Sequence, residues 1–302
     1  MTSPTVADVA RPASPLDALA DERVGTSIRV GHRDAVGILA IDRRERFNSM
    51  DVDTARDFRK AGLALARDRS LRCVIVYGTG GVFCSGADMK YIRALGGKTD
   101  FDYLKPDGTG APATFGAGFK EILEYLHSTI SEIKRAAKPF IAAVDGIAAA
   151  GGFGIAMACD LVFASERASF EWAYHKTGLT GAESSTFFLP KLVGLRRALD
   201  LMFLSPRLSA AEAKDIGLVT DVFPTSDFDT RVLEMAERLA NGPTRAFAVA
   251  KSLIHQAAGA DQLDYHLDQE LQHLARIADG EDYAEGMAAF FERRPPKFSG
   301  RG

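Results

Sequence analysis

The chain has 302 residues, of which 46% are hydrophobic and 25% charged, with a formal net charge of −3. That balance describes an ordinary globular protein, long enough to bury a full core as one domain or as one domain with an appendage. It offers no basic excess for nucleic acid, and no apolar run reaches the roughly eighteen residues of a membrane helix.

In chain order, Met1 to about Arg23 is rich in Pro, Ala, Ser and Asp and reads as a disordered extension, bounded at residue 24. It lacks the basic-then-apolar order of a secretory signal. The runs Thr26–Arg33 and Ala35–Asp42 predict a β-hairpin. Apolar residues at Val52, Ala55, Phe58 and Leu65 predict a helix over Met50–Ala66. Arg72–Tyr77 is a continuously apolar strand of the kind covered on both faces. Leu95 to Gly118 is polar and glycine-rich, which reads as a mobile lid or a disordered loop. A helix follows over Phe119–Lys138, then a strand at Phe140–Val144, a helix from Gly152 and a strand at Leu161–Ala164. Strands alternating with helices predict an α/β fold. From Phe223 the chain reads as helical to its end, over Ser226–Asn241, Pro243–Ala258, Asp261–Asp279 and Glu281–Arg293. The domain reading is therefore an extension at 1–24, a core at 25–222 and a helical region at 223–302.

Three cysteines, Cys73, Cys84 and Cys159, lie in apolar segments without CxxC spacing, which predicts buried reduced thiols in a cytoplasmic protein. No His, Cys or Asp cluster has metal-ligand spacing, and no Ser-His-Asp order stands out, so no metal is expected.

Chemistry concentrates in two glycine-rich turns. Gly146 to Gly154 (GIAAAGGFG) joins an apolar strand to a helix, and Gly78 to Lys90 (GTGGVFCSGADMK) follows the preceding strand. A turn at a helix start leaves N–H groups unpaired at the positive end of the helix dipole, a setting for an oxyanion. Two such turns converging on one carbonyl oxygen would supply two fixed donors. Close strand–helix packing is the other reason for Gly151-Gly152.

These turns, with Ile41–Met50 (IDRRERFNSM), Pro139–Asp160, Leu189–Gly194 (LPKLVG), Ala213–Val219 (AKDIGLV) and Glu285–Phe290 (EGMAAF), resemble the crotonase, or enoyl-CoA hydratase/isomerase, superfamily from about Thr26 to Phe298. The resemblance implies a spiral of ββα units with a C-terminal helical oligomerisation region. It implies an acyl-CoA thioester substrate, CoA being part of the substrate and no separate cofactor being needed. It also implies a homotrimer or dimer of trimers, and no nucleic-acid or membrane partner. The oxyanion donors would be the N–H groups of Ala87 and Gly151. Adenine and pantetheine would lie near Arg44, Ser85, Asp88 and Met89, with Arg293 reaching a neighbouring subunit's CoA phosphates.

Hydratases of this family use two glutamates; the matching positions here hold Gly154 and Tyr174. The segment Phe170–Ser185 (FEWAYHKTGLTGAESS) is similar instead to the branch containing 4-chlorobenzoyl-CoA dehalogenase. There an aromatic residue matches Tyr174 and a histidine matches His127, but the nucleophilic aspartate matches Ala182. Three side chains remain for acid–base work. His127 lies on the apolar stripe with Leu123 and Ile130, as a site group or a satisfied core histidine. Tyr174 is a proton donor, a stacking surface or core. Glu183 is a base or nucleophile, or a carboxylate stabilising the next helix start; a one-residue shift at such a start turns a side chain by about 100°. His175, Trp172 and Asp160 read as structural and Glu171 as a possible rim residue.

Enolate chemistry of the hydratase/isomerase type leads, and Phe187, Phe188 and Tyr174 set the expectation of a bulky, cyclic or aromatic acyl group. Acyl-CoA hydrolysis, including ring opening, and aryl-CoA dehalogenation stay open, as does a silent CoA-binding protein.

Overall fold

The structure, a computed structural model, describes residues 14–94 and 114–301. The chain begins with helix α1 (Pro15–Leu19) and strand β1 (Glu22–Val24). The hairpin strands β2 (Ile28–Arg33) and β3 (Val36–Ile41) follow, then α2 (Val52–Arg67), β4 (Cys73–Gly78) and α3 (Met89–Ala94). Helix α4 (Phe115–Arg135) leads into β5 (Phe140–Val144), β6 (Ile147–Ala149), α5 (Gly151–Ala158), β7 (Leu161–Ser165) and β8 (Ser169–Glu171). Next come α6 (Ser185–Val193), α7 (Leu195–Leu204), β9 (Leu208–Ser209), α8 (Ala210–Asp215) and β10 (Asp221–Phe223). The last four helices are α9 (Phe228–Ala240), α10 (Thr244–Ala257), α11 (Leu263–Ala278) and α12 (Glu281–Glu292).

The main sheet has seven strands in the order β1-β2-β3-β4-β5-β7-β10, antiparallel through β3 and parallel beyond it. The apolar runs behave as a two-faced sheet requires. On one face Leu39, Ile41, Val74, Val76, Phe140 and Ala142 pack with α2 and α4. On the other Val36, Ile38, Cys73, Ile75, Ile141 and Ala143 pack with Phe228, Val232, Leu233 and Ala236 of α9. Helix α9 is thus part of the sheet's own core, so the helical region from 223 is not a separate layer. A smaller sheet, β6-β8-β9, stands beside the glycine turns. All three cysteines are buried and free, and burial pushes each thiol up to about 12.

Two readings need correction. The expected disordered extension at 1–24 ends earlier: α1 and β1 occupy its last residues, and residues 1–13 lie outside the described ones. The Ser14 hydroxyl accepts from the Asp17 N–H at 2.9 Å, Pro15 opens the helix, and Leu16 and Ala20 are buried against the α9 face. One turn of helix is too short to show a period, which is why composition won. Of the lid read at 95–118, residues 95–113 lie outside the described residues, and Phe115–Gly118 belong to α4. Thr114 caps that helix, its side chain accepting from the Ala117 N–H at 3.1 Å.

Candidate active site

The two glycine turns meet. Phe83 and Cys84 donate their N–H groups to the Ile147 carbonyl, at 3.2 and 3.1 Å, and Ala149 donates to the Cys84 carbonyl at 3.0 Å. These bonds lay the upstream turn along β6. Further on, Met50 donates to the Gly86 carbonyl and Asp88 to the Met50 carbonyl, each at 2.8 Å. That parallel bridge uses the groups on either side of Ala87 and directs Ala87's own amide away from Met50. Among the described residues neither the Ala87 N–H nor the Gly151 N–H has a hydrogen-bond partner.

Glycine is required where the turns touch. Gly86 has φ +93°, and a Cβ there would lie 2.9 Å from the Ala150 Cβ and 3.2 Å from the Gly151 nitrogen. A Cβ at Gly152 would lie 2.1 Å from the Cys84 carbonyl oxygen, so this glycine does serve close packing. Ala150, just before α5, has φ +47° and ψ −119°, a conformation that costs a non-glycine residue about 1–3 kcal/mol.

Opposite the turns lies a buried corner. Glu183 and Ser184 both have left-handed backbones, with φ +50° and +63°. Glu183 therefore precedes α6 rather than lying within it, and the helical turn of about 100° per residue does not govern its direction. Its carboxylate instead lies against the Cα of Gly151: a Cβ there would be 2.9 Å from Glu183 Oε1. At Gly154 a Cβ would be 2.4 Å from the Glu183 carbonyl oxygen and 2.7 Å from its Cβ, so the Glu183 main chain fills the space a side chain at 154 would take. Tyr174, fully inside the protein, donates its hydroxyl to Glu183 Oε2 and lies 3.1 Å from the Ala182 carbonyl. Burial pushes the Glu183 carboxyl up to about 7; the Tyr174 hydrogen bond opposes this and the charge of Glu270 adds to it. Burial likewise raises the Tyr174 phenol, which stays protonated.

His127 faces inward as its stripe predicts, but it holds main chain. Its Nε2 accepts from the Glu183 N–H at 3.2 Å. Burial pushes the imidazole down to about 3, against a hydrogen bond to the Leu267 backbone, so the ring is neutral. Its 3.7 Å approach to Glu270 Oε2 is therefore not an ion pair. The helix-start role weighed for Glu183 belongs to Glu270 of α11. This carboxylate accepts from the N–H groups of Ser184 at 2.8 Å and Thr186 at 3.0 Å, and from the Thr186 hydroxyl at 2.5 Å. Sequence reasoning missed Glu270, although its place among Leu263, Leu267, Leu271 and Leu274 on one helix face marks a carboxylate turned inward.

The residues expected to bind CoA divide. Ser85, Ala87 and Met89 are partly exposed along the outer side of the turn. Asp88 is buried and paired with Arg43 at 2.9 Å and Arg46 at 2.6 Å. Burial favours its neutral form, but the Arg46 bond, the Tyr91 N–H and the Arg43 charge outweigh that and lower its carboxyl. Arg44 is half-exposed, pairs with Asp17 and Asp42, and lines an open groove of about 650 Å³ in which Arg23, Arg29 and Arg43 stand beside the carboxylates of Asp42, Glu45, Asp51 and Asp53. Arg293 is exposed and ends α12 in a left-handed conformation. Phe187 and Phe188 line a different cavity, of about 440 Å³, with Met157, Cys159 and residues of α10. Asp160 and Glu171 are held by lysines and arginine: Lys251 at 2.7 Å for Asp160, and Lys176 with Arg207 for Glu171. Trp172 is core, its ring 4.9 Å from that of Tyr174.

Residues 31–108 and 112–301 match the family described as Enoyl-CoA hydratase/isomerase. The chain belongs to that family. It is 30% identical over 263 residues to 4-chlorobenzoyl coenzyme A dehalogenase-2 of Arthrobacter sp, covering 87% of this chain and 90% of the relative. It is 29% identical over 263 residues to 1,2-epoxyphenylacetyl-CoA isomerase of Escherichia coli strain K12, covering 87% of this chain and 94% of that protein. Its fold superposes on the crystal structure of an enoyl-CoA hydratase from Mycobacterium avium subsp. paratuberculosis K-10 with a TM-score of 0.78, at 31% identity and over 91% of this chain and 99% of the other. The fold is crotonase-like, and the protein is a crotonase-superfamily enzyme of acyl-CoA thioesters. No helix among the described residues is long and apolar enough to cross a membrane.

Proposed function

We propose that this enzyme moves a proton at the carbon next to a CoA thioester, with Glu183 as its working carboxylate. One observation carries the reading: the Glu183 carboxylate, buried and bonded to Tyr174, lies against the first residue of α5, where the glycine turns present their unpaired amides. Removing a proton beside a thioester puts negative charge on the carbonyl oxygen. In this reading the Ala87 and Gly151 N–H groups receive it, and a fixed donor of this kind is worth about 3–4 kcal/mol of barrier. A carboxyl near 7 is matched to taking and returning a proton at neutral pH. Tyr174 steadies the carboxylate and keeps one oxygen occupied, so the other does the transfer. A single carboxylate suits isomerisation, in which the proton leaves one carbon and returns to another, better than water addition by two glutamates.

The remaining assignments follow from that placement. Ser85 and Met89 flank the pantetheine path, the groove beside Arg44 takes the nucleotide phosphates, and Asp88 acts by fixing Arg43 and Arg46. Arg293 contributes only in an assembly of subunits, a trimer or a dimer of trimers, that brings it to a neighbour. The exposed Leu195, Phe203, Val249 and Leu253 on α7 and α10 are the surface such an assembly would cover. The test is solvent exchange: in D2O the enzyme should place deuterium at the α carbon of phenylacetyl-CoA, and Glu183→Gln should slow this about 10²–10⁴-fold. An acyl–Glu183 anhydride found by mass spectrometry together with released CoA, and no exchange, would instead favour attack by this carboxylate on the thioester carbon, as in hydrolysis.

A further inference from the structure

The Glu183–Ser184 corner has two consecutive non-glycine residues in left-handed conformations, and nothing in its local sequence demands that. Each of their N–H groups is held by a buried side chain from another helix, His127 of α4 for Glu183 and Glu270 of α11 for Ser184. Helix α6 has no side-chain cap of its own. Its first amides are satisfied by Glu270, across 86 and 84 residues of chain.

We infer that Glu270 is a positioning residue for the reaction, holding the left-handed corner that aims Glu183 at Gly151 and setting a second negative charge behind that carboxylate. The inference rests on the reading that Glu183 moves the proton. Glu270 has an acceptor's task on both oxygens: Oε2 takes the Ser184 N–H, and Oε1 takes the N–H and hydroxyl of Thr186. The other titratable groups facing this pair are few. Tyr174 and Cys84 face Glu183, while neutral His127 at 3.7 Å and His266 at 3.8 Å face Glu270. Tyr174 and Cys84 are protonated at neutral pH, and burial lowers both histidines, so among the described residues no cation offsets the charge that Glu270 presents; burial raises the Glu270 carboxyl itself, and its bonds from Thr186 and Ser184 favour the charged form. Glu270 thus has two separable effects. Its hydrogen bonds fix where the Glu183 carboxylate points, and its charge makes that carboxylate a stronger base. Because Glu270 joins α11 to the start of α6, a displacement of α11 would be felt at Glu183 without any contact with substrate.

Two substitutions in the full-length protein separate these effects. Glu270→Gln removes the charge and, with one acceptor oxygen in place of two, also gives up one of the two sets of α6 contacts, whereas Glu270→Asp keeps the charge. The glutamine variant should lower the Glu183 titration midpoint by about one pH unit, the size expected when a like-charged neighbour is lost. The midpoint is read by infrared difference titration of the ligand-free protein, with Glu183→Gln as the subtracted reference, and again as the acid limb of the phenylacetyl-CoA exchange rate. Glu270→Asp keeps the charge but falls a methylene short of the α6 amides. It should leave the midpoint within a few tenths of wild type and reduce kcat about tenfold with KM little changed. A merely structural Glu270 would lower the thermal midpoint in both variants and leave the Glu183 midpoint in place, and that result overturns the inference. If Glu270→Gln does not fold, an aspartate variant exchanging at the wild-type rate overturns it equally. Failure of the proton-transfer reading itself looks different: wild-type protein then shows no exchange, whereas the infrared titration still reports the coupling.

Discussion

The glycine turns and the Tyr174–Ser185 corner face one another across Gly151, yet they are made of different material. The turns act through main chain. What they need is close approach, and the contacts a Cβ would make at Gly86 and Gly152 show why glycine stands at both. The corner acts through side chains drawn from separate elements: Tyr174 after β8, His127 from α4, Glu183 before α6 and Glu270 from α11. A backbone device survives almost any change of side chain. A side-chain device can be rebuilt, and here the Glu183 main chain occupies the room that a side chain at 154 would need. In the proposed reading, one scaffold can in this way keep its grip on a thioester while its proton chemistry changes.

The strongest way to break this comparison is Glu183→Gln. It should slow α-proton exchange about 10²–10⁴-fold, the usual span for loss of a general base, with acyl-CoA affinity nearly unchanged. Exchange kinetics together with a binding titration check this, and an unaffected rate would remove the corner from the chemistry. Gly151→Ala probes the boundary between the two regions. The added methyl, 2.9 Å from Glu183 Oε1, should push the carboxylate aside and cost about 10²-fold in rate while the circular dichroism spectrum is kept.

The pH dependence sharpens the corner's side of the comparison. With Glu183 working as a base whose carboxyl lies at about 7, the exchange rate should rise with pH up to that point and level off above it. Tyr174→Phe removes the hydrogen bond that opposes the upward shift, so the acid limb should move to higher pH by about one unit. Linkage gives the companion sign for stability. A carboxyl raised on folding binds more protons folded than unfolded, so this group's contribution falls as pH rises from the ordinary 4.5 to about 7 and is constant above. Denaturant titrations of wild type and Glu183→Gln across that window should show the slope in the first and its loss in the second. The smallest effect belongs to the scaffold. The Tyr283 hydroxyl is buried without a hydrogen-bond partner among the described residues, with its ring edge-on to Phe115 and Phe119 at 5.4 and 5.6 Å. Tyr283→Phe should change unfolding free energy by no more than about 0.5 kcal/mol, or stabilise slightly.

The same division explains what could be read in the sequence. The runs that become β3, β4 and β5 were legible because strands covered on both faces must be apolar throughout, and α2, α9, α11 and α12 were legible because their buried stripes recur at a helical period. The glycine turns were legible because close approach leaves glycine as its trace. Strands β6, β8 and β9 have two or three residues each, too few for any period to appear. The conformations of Glu183 and Ser184 left no mark, because neither is a glycine and what holds them lies on other helices. The inward place of Glu270 was marked by the leucines around it, but its task was not, since a cap supplied across 86 residues is a tertiary fact.

The central claim is most directly tested by a crystal structure of the protein with phenylacetyl-CoA bound. The thioester oxygen should lie about 2.7–3.1 Å from both the Ala87 and Gly151 nitrogens, and a Glu183 carboxylate oxygen about 3–3.5 Å from the α carbon. A thioester oxygen bonded to neither amide, or a Glu183 carboxylate turned away from the α carbon, would contradict the claim.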